Sequence, residues 1–135
     1  MTTLSPAVGE RLVHKAFPPI SRHTLALYCG ASGDHNPMHV DIDFARQAGF
    51  PDVFSHGMLV MAYLGQALTD AVSPVAIRSF STRFAAITQL GSRLTCEGTV
   101  TELFEAGGER RARLALTAKD ADGETKLAGE AVIAL

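Results

Sequence analysis

The chain has 135 residues, 47% hydrophobic and 19% charged, which is enough apolar side chain for a packed core and argues against disorder. A formal net charge of -2 leaves no basic excess to neutralise phosphates, so nucleic-acid binding is not expected. The longest apolar stretch, around GMLVMAYLG from Gly57, falls well short of the about 18 residues that a membrane span requires, and the two cysteines, Cys29 and Cys96, read as free buried thiols.

In chain order, the opening MTTLSPAVGERLVHK lacks a charged head followed by an apolar run, so no leader is expected and the chain is placed in the cytoplasm. Glu10 to Phe17 predicts a short strand, stopped by Pro18-Pro19. Ser21 can cap a first helix with Leu25, Tyr28 and Cys29 on its apolar face, ended by Gly30 and Gly33. Asp41 or Asp43 can cap a second, carrying Ile42 and Ala45 and closed by Gly49 and Pro51. A third begins at Ser55 or His56 and runs through Leu68. From Gly57 to Leu68 its one strongly polar side chain is Gln66, which predicts a helix buried on nearly all sides.

The remaining chain predicts four strands by period-two alternation. In the first, Arg78, Phe80, Thr82 and Phe84 face opposite to Ile77, Ser79, Ser81 and Arg83. In the second, Leu94, Cys96, Gly98 and Val100 share a face; in the third, Ala112, Leu114, Leu116 and Ala118 do. In the last, Leu127, Gly129, Ala131 and Ile133 alternate with Lys126, Ala128 and Glu130. Arg110, Arg111 and Arg113 then read as the wet face of a strand. Turns are marked by Ala106-Gly107-Gly108 and Asp122-Gly123. One strand, a helical insert and four strands make an α+β fold, a single domain over residues 1–135 with an antiparallel sheet wrapped around a long buried helix.

Between the first two helices lies SGDHNPMHVD, Ser32 to Asp41. Pro37 forces Asn36 into an extended conformation, so the segment cannot form one regular helical turn. Asp34 and His39 can then converge, and a carboxylate beside an imidazole can fix its tautomer, raise its basicity and share a water. Asn36 can hold the loop backbone. Metal binding by Asp34, His35, His39 and His56 is the competing reading, but Pro37 spoils the shared helical face that His35 and His39 would need. Farther on, FSHGML places Gly57 in the first turn of the apolar helix. Its N–H is a candidate donor to a carbonyl oxygen that turns negative during reaction. Taken singly, each of these residues also has a plain structural reading: a turn cap, a packed imidazole, steric relief at a helix start.

SGDHNPMHVD followed by GFPDVFSHGML resembles the MaoC-like hydratase/dehydratase family, which includes (R)-specific enoyl-CoA hydratases. The likeness runs from about Phe17 to the C-terminus and looks closest to single-domain 3-hydroxyacyl-thioester dehydratase subunits of type-II fatty-acid synthesis. It implies a hot-dog fold and a dimer with the site at its interface. It also implies reversible hydration of trans-2-enoyl thioesters to (R)-3-hydroxyacyl thioesters, without metal or cofactor. The substrate would ride on CoA or acyl-carrier protein. Asp34 and His39 match the catalytic pair and Gly57 the backbone oxyanion donor. Asn36 matches a loop-supporting position, Ser55 lies near the site, and His35 and His56 receive no role. Where the family often carries a proline before a turn glycine, this chain has Ile87 and Thr88 in AAITQLG. The alternatives are a hot-dog thioesterase, which usually draws a carboxylate from the central helix, and a subunit of a heterodimeric dehydratase that needs a partner to bind substrate.

Overall fold

The computed structural model describes residues 4–135, so Met1–Thr3 of the opening stretch lie outside it. In chain order the elements are β1 (Arg11–Ala16), α1 (Arg22–Ser32), a 3-10 turn at Pro37–His39, α2 (Ile42–Gln47) and α3 (Gly57–Ala71). A second 3-10 turn at Pro74–Ala76 leads into β2 (Ile77–Phe84), β3 (Thr95–Ala106), β4 (Glu109–Lys119) and β5 (Thr125–Ala134). The five strands form one antiparallel sheet in the order β1-β3-β4-β5-β2. The strands on either side of the helical insert therefore end up at opposite edges of the sheet. Among the described residues no helix is long and apolar enough to cross a membrane.

α3 lies across the sheet, packed on β1, β3, β4 and β5. Its Leu59, Val60, Leu64, Ala67 and Leu68 are buried, adjacent pairs set one or two turns apart along one helix face. They meet Val13, Cys96, Val100, Leu114, Leu116, Leu127 and Ile133, the inward residues of the alternating strands. Each such leucine, fully buried, contributes about 1.5–3 kcal/mol. The outward face carries ion pairs along and across strands. Arg111 bonds Glu109 at 2.8 Å, and Arg113 reaches Glu102 at 3.1 Å and Glu130 at 3.0 Å. Arg78 also bonds Glu109 at 2.8 Å, and these two guanidinium groups hold the Glu109 carboxyl down at about 2.

The capping residues act as their chemistry dictates. Ser21 Oγ accepts from Thr24 N–H at 3.1 Å, and Asp41 Oδ1 accepts from Asp43 N–H at 3.0 Å, opening α1 and α2. Gly33, at φ 76°, ends α1 in the left-handed conformation. Gly30, expected to share that task, is helical: nothing in the turn around it demands a positive φ, and α1 continues to Ser32.

Three further expectations are corrected. β2 carries a bulge between Ile77 and Ser79, so Ile77 and Phe80 both pack on the core instead of pointing to opposite faces. Lys126, expected on the wet face of β5, is 4% exposed. The 85–90 loop folds over that end of the strand, and the ammonium donates to Ile87 O at 2.9 Å and pairs with Glu124 and Asp120. Finally, α3 is not wrapped on nearly all sides. One sheet covers one face, and Met58, Ala62 and Gln66 on the other are exposed, Met58 by 53%.

Candidate active site

The polar island is shaped by its own side chains. Asn36 is extended at φ -55° and ψ 121°, and Pro37 starts the 3-10 turn that carries His39. Asn36 Oδ1 accepts from Met38 N–H at 3.1 Å, and Asp34 Oδ1 accepts from Asn36 N–H at 3.3 Å. Two successive Asx turns thus fix the path from Asp34 to His39. Asp34 remains exposed while His39 is buried.

His39 Nδ1 lies 2.7 Å from Phe54 O. A carbonyl can only accept, so Nδ1 carries the proton and Nε2 presents a lone pair. Opposite it, one carboxylate oxygen of Asp34 and one ring nitrogen each from His39 and His56 lie within 4.8 Å of one another. The structure therefore brings Asp34 and His39 together, as the loop sequence suggests. It adds His56, twenty-two residues downstream of Asp34, and leaves His35 exposed and outside the cluster.

Two imidazoles and a carboxylate are also donors that a metal ion accepts. His56 Nε2 faces Asp34 O at 3.3 Å, which makes that nitrogen an N–H donor and leaves Nδ1 as the ring nitrogen a metal would have to take.

His56 stands immediately before α3, and Gly57 is the first helical residue. The first amides of a helix have no intrahelical acceptor. Among the described residues neither Gly57 N–H nor Met58 N–H meets an acceptor, whereas Leu59 and Val60 both donate to His56 O. Gly57 and His39 share the wall of a cavity of about 340 Å³, together with Ser55, Val60, Phe84 and Lys126. Asp34 is not part of that wall; it stands beside it, next to His39. Phe84 lies over Gly57 so closely that a Cβ there would come within 2.9 Å of its ring.

Ser55 is buried, and its Oγ donates to His56 O at 3.0 Å. Its N–H donates to Thr88 O at 2.8 Å, and Phe54 bridges Gln89, so the Ile87–Thr88 segment forms a second wall held by Lys126. Burial, with the neighbouring His39 adding to it, pulls the His56 imidazole below its ordinary value and keeps it neutral. Burial, then the Asp34 charge, pushes the Cys29 thiol up.

His56 and Lys126 are the two residues of this region to which sequence reasoning assigned no part in the acid–base site. Nothing in the spacing ties His56 to Asp34, and strand alternation assigned Lys126 to water. The one cue was position: His56 directly precedes the glycine that opens the apolar helix.

The chain belongs to the family described as MaoC like domain, whose model matches residues 4–120. It is 32% identical over 116 residues to an (R)-specific enoyl-CoA hydratase of Rhodospirillum rubrum, covering 84% of this chain and 78% of that protein. It is 36% identical over 75 residues to a peroxisomal enoyl-CoA hydratase 2 of Arabidopsis thaliana, covering 53% of this chain but 24% of that longer protein. Among solved structures, the unliganded R-hydratase PhaJ1 of Pseudomonas aeruginosa superposes with a TM-score of 0.84 at 28% identity, covering 96% of this chain and 82% of that one. The helix-on-sheet architecture is thus the hot-dog fold that the sequence resemblance implied.

Proposed function

We propose that the chain reversibly hydrates trans-2-enoyl thioesters to (R)-3-hydroxyacyl thioesters, the acyl group carried on CoA or acyl-carrier protein. The observation that carries this reading is the placement of the Asp34 carboxylate and the His39 imidazole together, beside a helix start whose first amides are free. The Rhodospirillum rubrum relative, named as an (R)-specific enoyl-CoA hydratase, supports the reaction and its stereochemistry.

In hydration, the thioester oxygen accepts from Gly57 N–H, and the dipole of α3 favours the negative charge that gathers there. A water sits between the Asp34 oxygen and His39 Nε2. Its oxygen bonds C3 of the enoyl group, and the C2–C3 π pair moves toward C2 and the thioester oxygen. One proton passes from the water to the Asp34–His39 pair, and one passes from the pair to C2. The pair ends with the protons it began with, and dehydration runs the same steps backward. Phe54 O holds His39 in the tautomer this needs. Asn36 supports the loop, and Ser55 fixes the backbone at the helix start.

A hydrolase of the same thioesters would call for a carboxylate on α3. The acidic residue there, Asp70, sits in the last turn and pairs with Lys15.

A second copy is proposed to cover the open face. β2 is an edge strand, and Met58, Phe84, Phe44 and Val40 expose 53%, 54%, 41% and 48% of their surface around the site. Gel filtration distinguishes a homodimer from a chain that waits for a related partner.

The decisive experiment is loss of enoyl absorbance on a chain-length series of 2-enoyl thioesters, followed by chiral analysis of the product. Asp34→Asn and His39→Ala are expected to lose about 10²–10⁴-fold in kcat while staying folded. A folded Asp34→Asn that hydrates at the wild-type rate sinks the assignment.

A further inference from the structure

His56 is the most buried polar side chain near the site, 1% exposed, and the hydration steps above give it no task. Its surroundings are specific. The ring stacks on His39, with centroids 3.8 Å apart and planes at 26°. Tyr28 from α1 meets it edge-on at 4.7 Å. Its Nε2 lies 3.3 Å from Asp34 O and 3.3 Å from Cys29 Sγ. Its Nδ1 is buried and has no hydrogen-bond partner among the described residues.

These contacts settle which nitrogen carries the proton. Asp34 O can only accept, so Nε2 is the donor, shared between that carbonyl and the Cys29 sulfur. The Nδ1 lone pair is then left buried and unpartnered among the described residues. An acceptor left without a partner in a buried site loses its bond to water and gains nothing in return. A residue chosen for stability alone would not carry that cost: a phenylalanine fills the same space, stacks on His39 equally well, and has no nitrogen to leave unpaired. The donor at Nε2 is what phenylalanine lacks, and its target is the main chain of Asp34, an exposed residue on a loop.

We propose that His56 is a positioning residue for the hydration reaction: one buried side chain holds the Asp34 main chain by its Nε2–H and backs the His39 ring by stacking. It sets the separation of the acid–base pair and never touches the substrate. The proposal rests on the Asp34–His39 reading of the site. Because His56 directly precedes Gly57, the same residue also ties the pair to the helix start that receives the thioester oxygen. A shift at any one of the three groups is thus resisted at the other two. Cys29 and Tyr28 close the ring's outer side and hold its plane, and burial pulls the imidazole below its ordinary value.

The test uses the full chain with two substitutions, assayed with crotonyl-CoA and a longer 2-enoyl-CoA. His56→Phe keeps the stacked ring and removes the donor. His56→Gln restores an amide N–H about as far from the backbone as Nε2. The expected result is a 10- to 100-fold lower kcat for His56→Phe with KM within about twofold, the cost of a slightly misplaced catalytic group. His56→Gln is expected to recover at least a third of the wild-type kcat. Melting temperatures of both are expected to stay within a few degrees of wild type, since the orphaned nitrogen leaves with the donor.

If His56→Phe folds and turns over at the wild-type rate, the proposal is overturned. It is equally overturned if His56→Gln and His56→Phe lose activity equally while folded, because the donor would then not be the reason. Should His56→Phe fail to fold, His56→Met is read in its place against the same expectations. Wild-type turnover is measured alongside: its absence on every thioester tested overturns the functional reading itself, and the positioning role with it, whereas full turnover by the variants overturns the positioning role alone.

Discussion

Adding one methyl group at the start of α3 should separate binding chemistry from stability. In Gly57→Ala the N–H is retained, but the new Cβ meets Phe84 Cδ1 and Cε1 at 2.9 Å. Ordinary carbon–carbon contacts begin at about 3.5 Å, so the ring must retreat by roughly 0.6 Å or more. Phe84 is 54% exposed on this chain, so no residue of the chain itself blocks that retreat, and the steric cost within the chain stays small. Against that cost stands the helix preference for alanine over glycine, at most about 1 kcal/mol. The two effects nearly cancel, and the urea midpoint is expected to stay close to wild type. Activity should not. Gly57 lines the cavity beside His39, so the methyl and the displaced ring narrow the approach to the backbone donor proposed for the reaction. A fully removed oxyanion donor costs about 10²–10³-fold. A donor that is present but crowded should cost about 10- to 100-fold in kcat/KM. The assay is initial-rate hydration of crotonyl-CoA, with circular dichroism as the folding control. A folded Gly57→Ala with wild-type kcat/KM would refute the placement of the thioester oxygen at this helix start.

Gly98→Ala should do the reverse. Its Cβ would lie 2.7 Å from Leu116 Cδ2 and 3.0 Å from Val13 Cβ, inside the core where neither neighbour can move away. Overpacking of this kind costs about 1–3 kcal/mol, read as a lower urea midpoint, while turnover per folded molecule stays near wild type. The pH dependence of stability follows from His56, whose folded value lies below its ordinary 6.5. The unfolded chain takes up a proton there as pH falls through 6.5 and the folded chain only at lower pH, so this contribution is fully present above that pH and is lost progressively below it. Urea midpoints between pH 8 and 5.5 should fall less steeply for His56→Phe than for wild type; equal slopes would contradict a neutral buried imidazole. Dialysis against a strong chelator should leave the hydration rate unchanged, and a loss restored by zinc would transfer Asp34, His39 and His56 from acid–base work to metal binding.

Most of the fold was legible because its signals are local. Ser21 and Asp41 bond the next helical amides themselves, and strands with one buried face alternate wherever the pleat is regular. The misreadings fall where that regularity is broken from outside the element. A bulge moves Ile77 onto the face of Phe80, and a loop nearly forty residues away in sequence covers Lys126. The exposed side of α3 is another such case. Its sequence demands cover on both faces, and a single five-stranded sheet supplies cover on one. That mismatch is itself an argument for a second copy against Met58 and Phe84, since apolar surface of this kind beside an unpaired strand edge is rarely left to water.

The site divides in the same way. Asp34 and His39 were legible because five residues and one proline constrain how they can meet, and Asn36 locks the turn by a bond to its own loop. His56 was not, because its relation to Asp34 passes through space: α1 turns back at Gly33, the loop crosses the mouth of the fold, and the chain returns at Phe54 to start α3. The two contacts that define His56, with Asp34 O and with the His39 ring, span twenty-two and seventeen residues. One is to a main-chain oxygen, which no pattern of side-chain types can register. What the sequence does carry is the consequence, a histidine immediately before the glycine of a buried helix, where leaving Nδ1 without a partner makes sense only if the other nitrogen is needed.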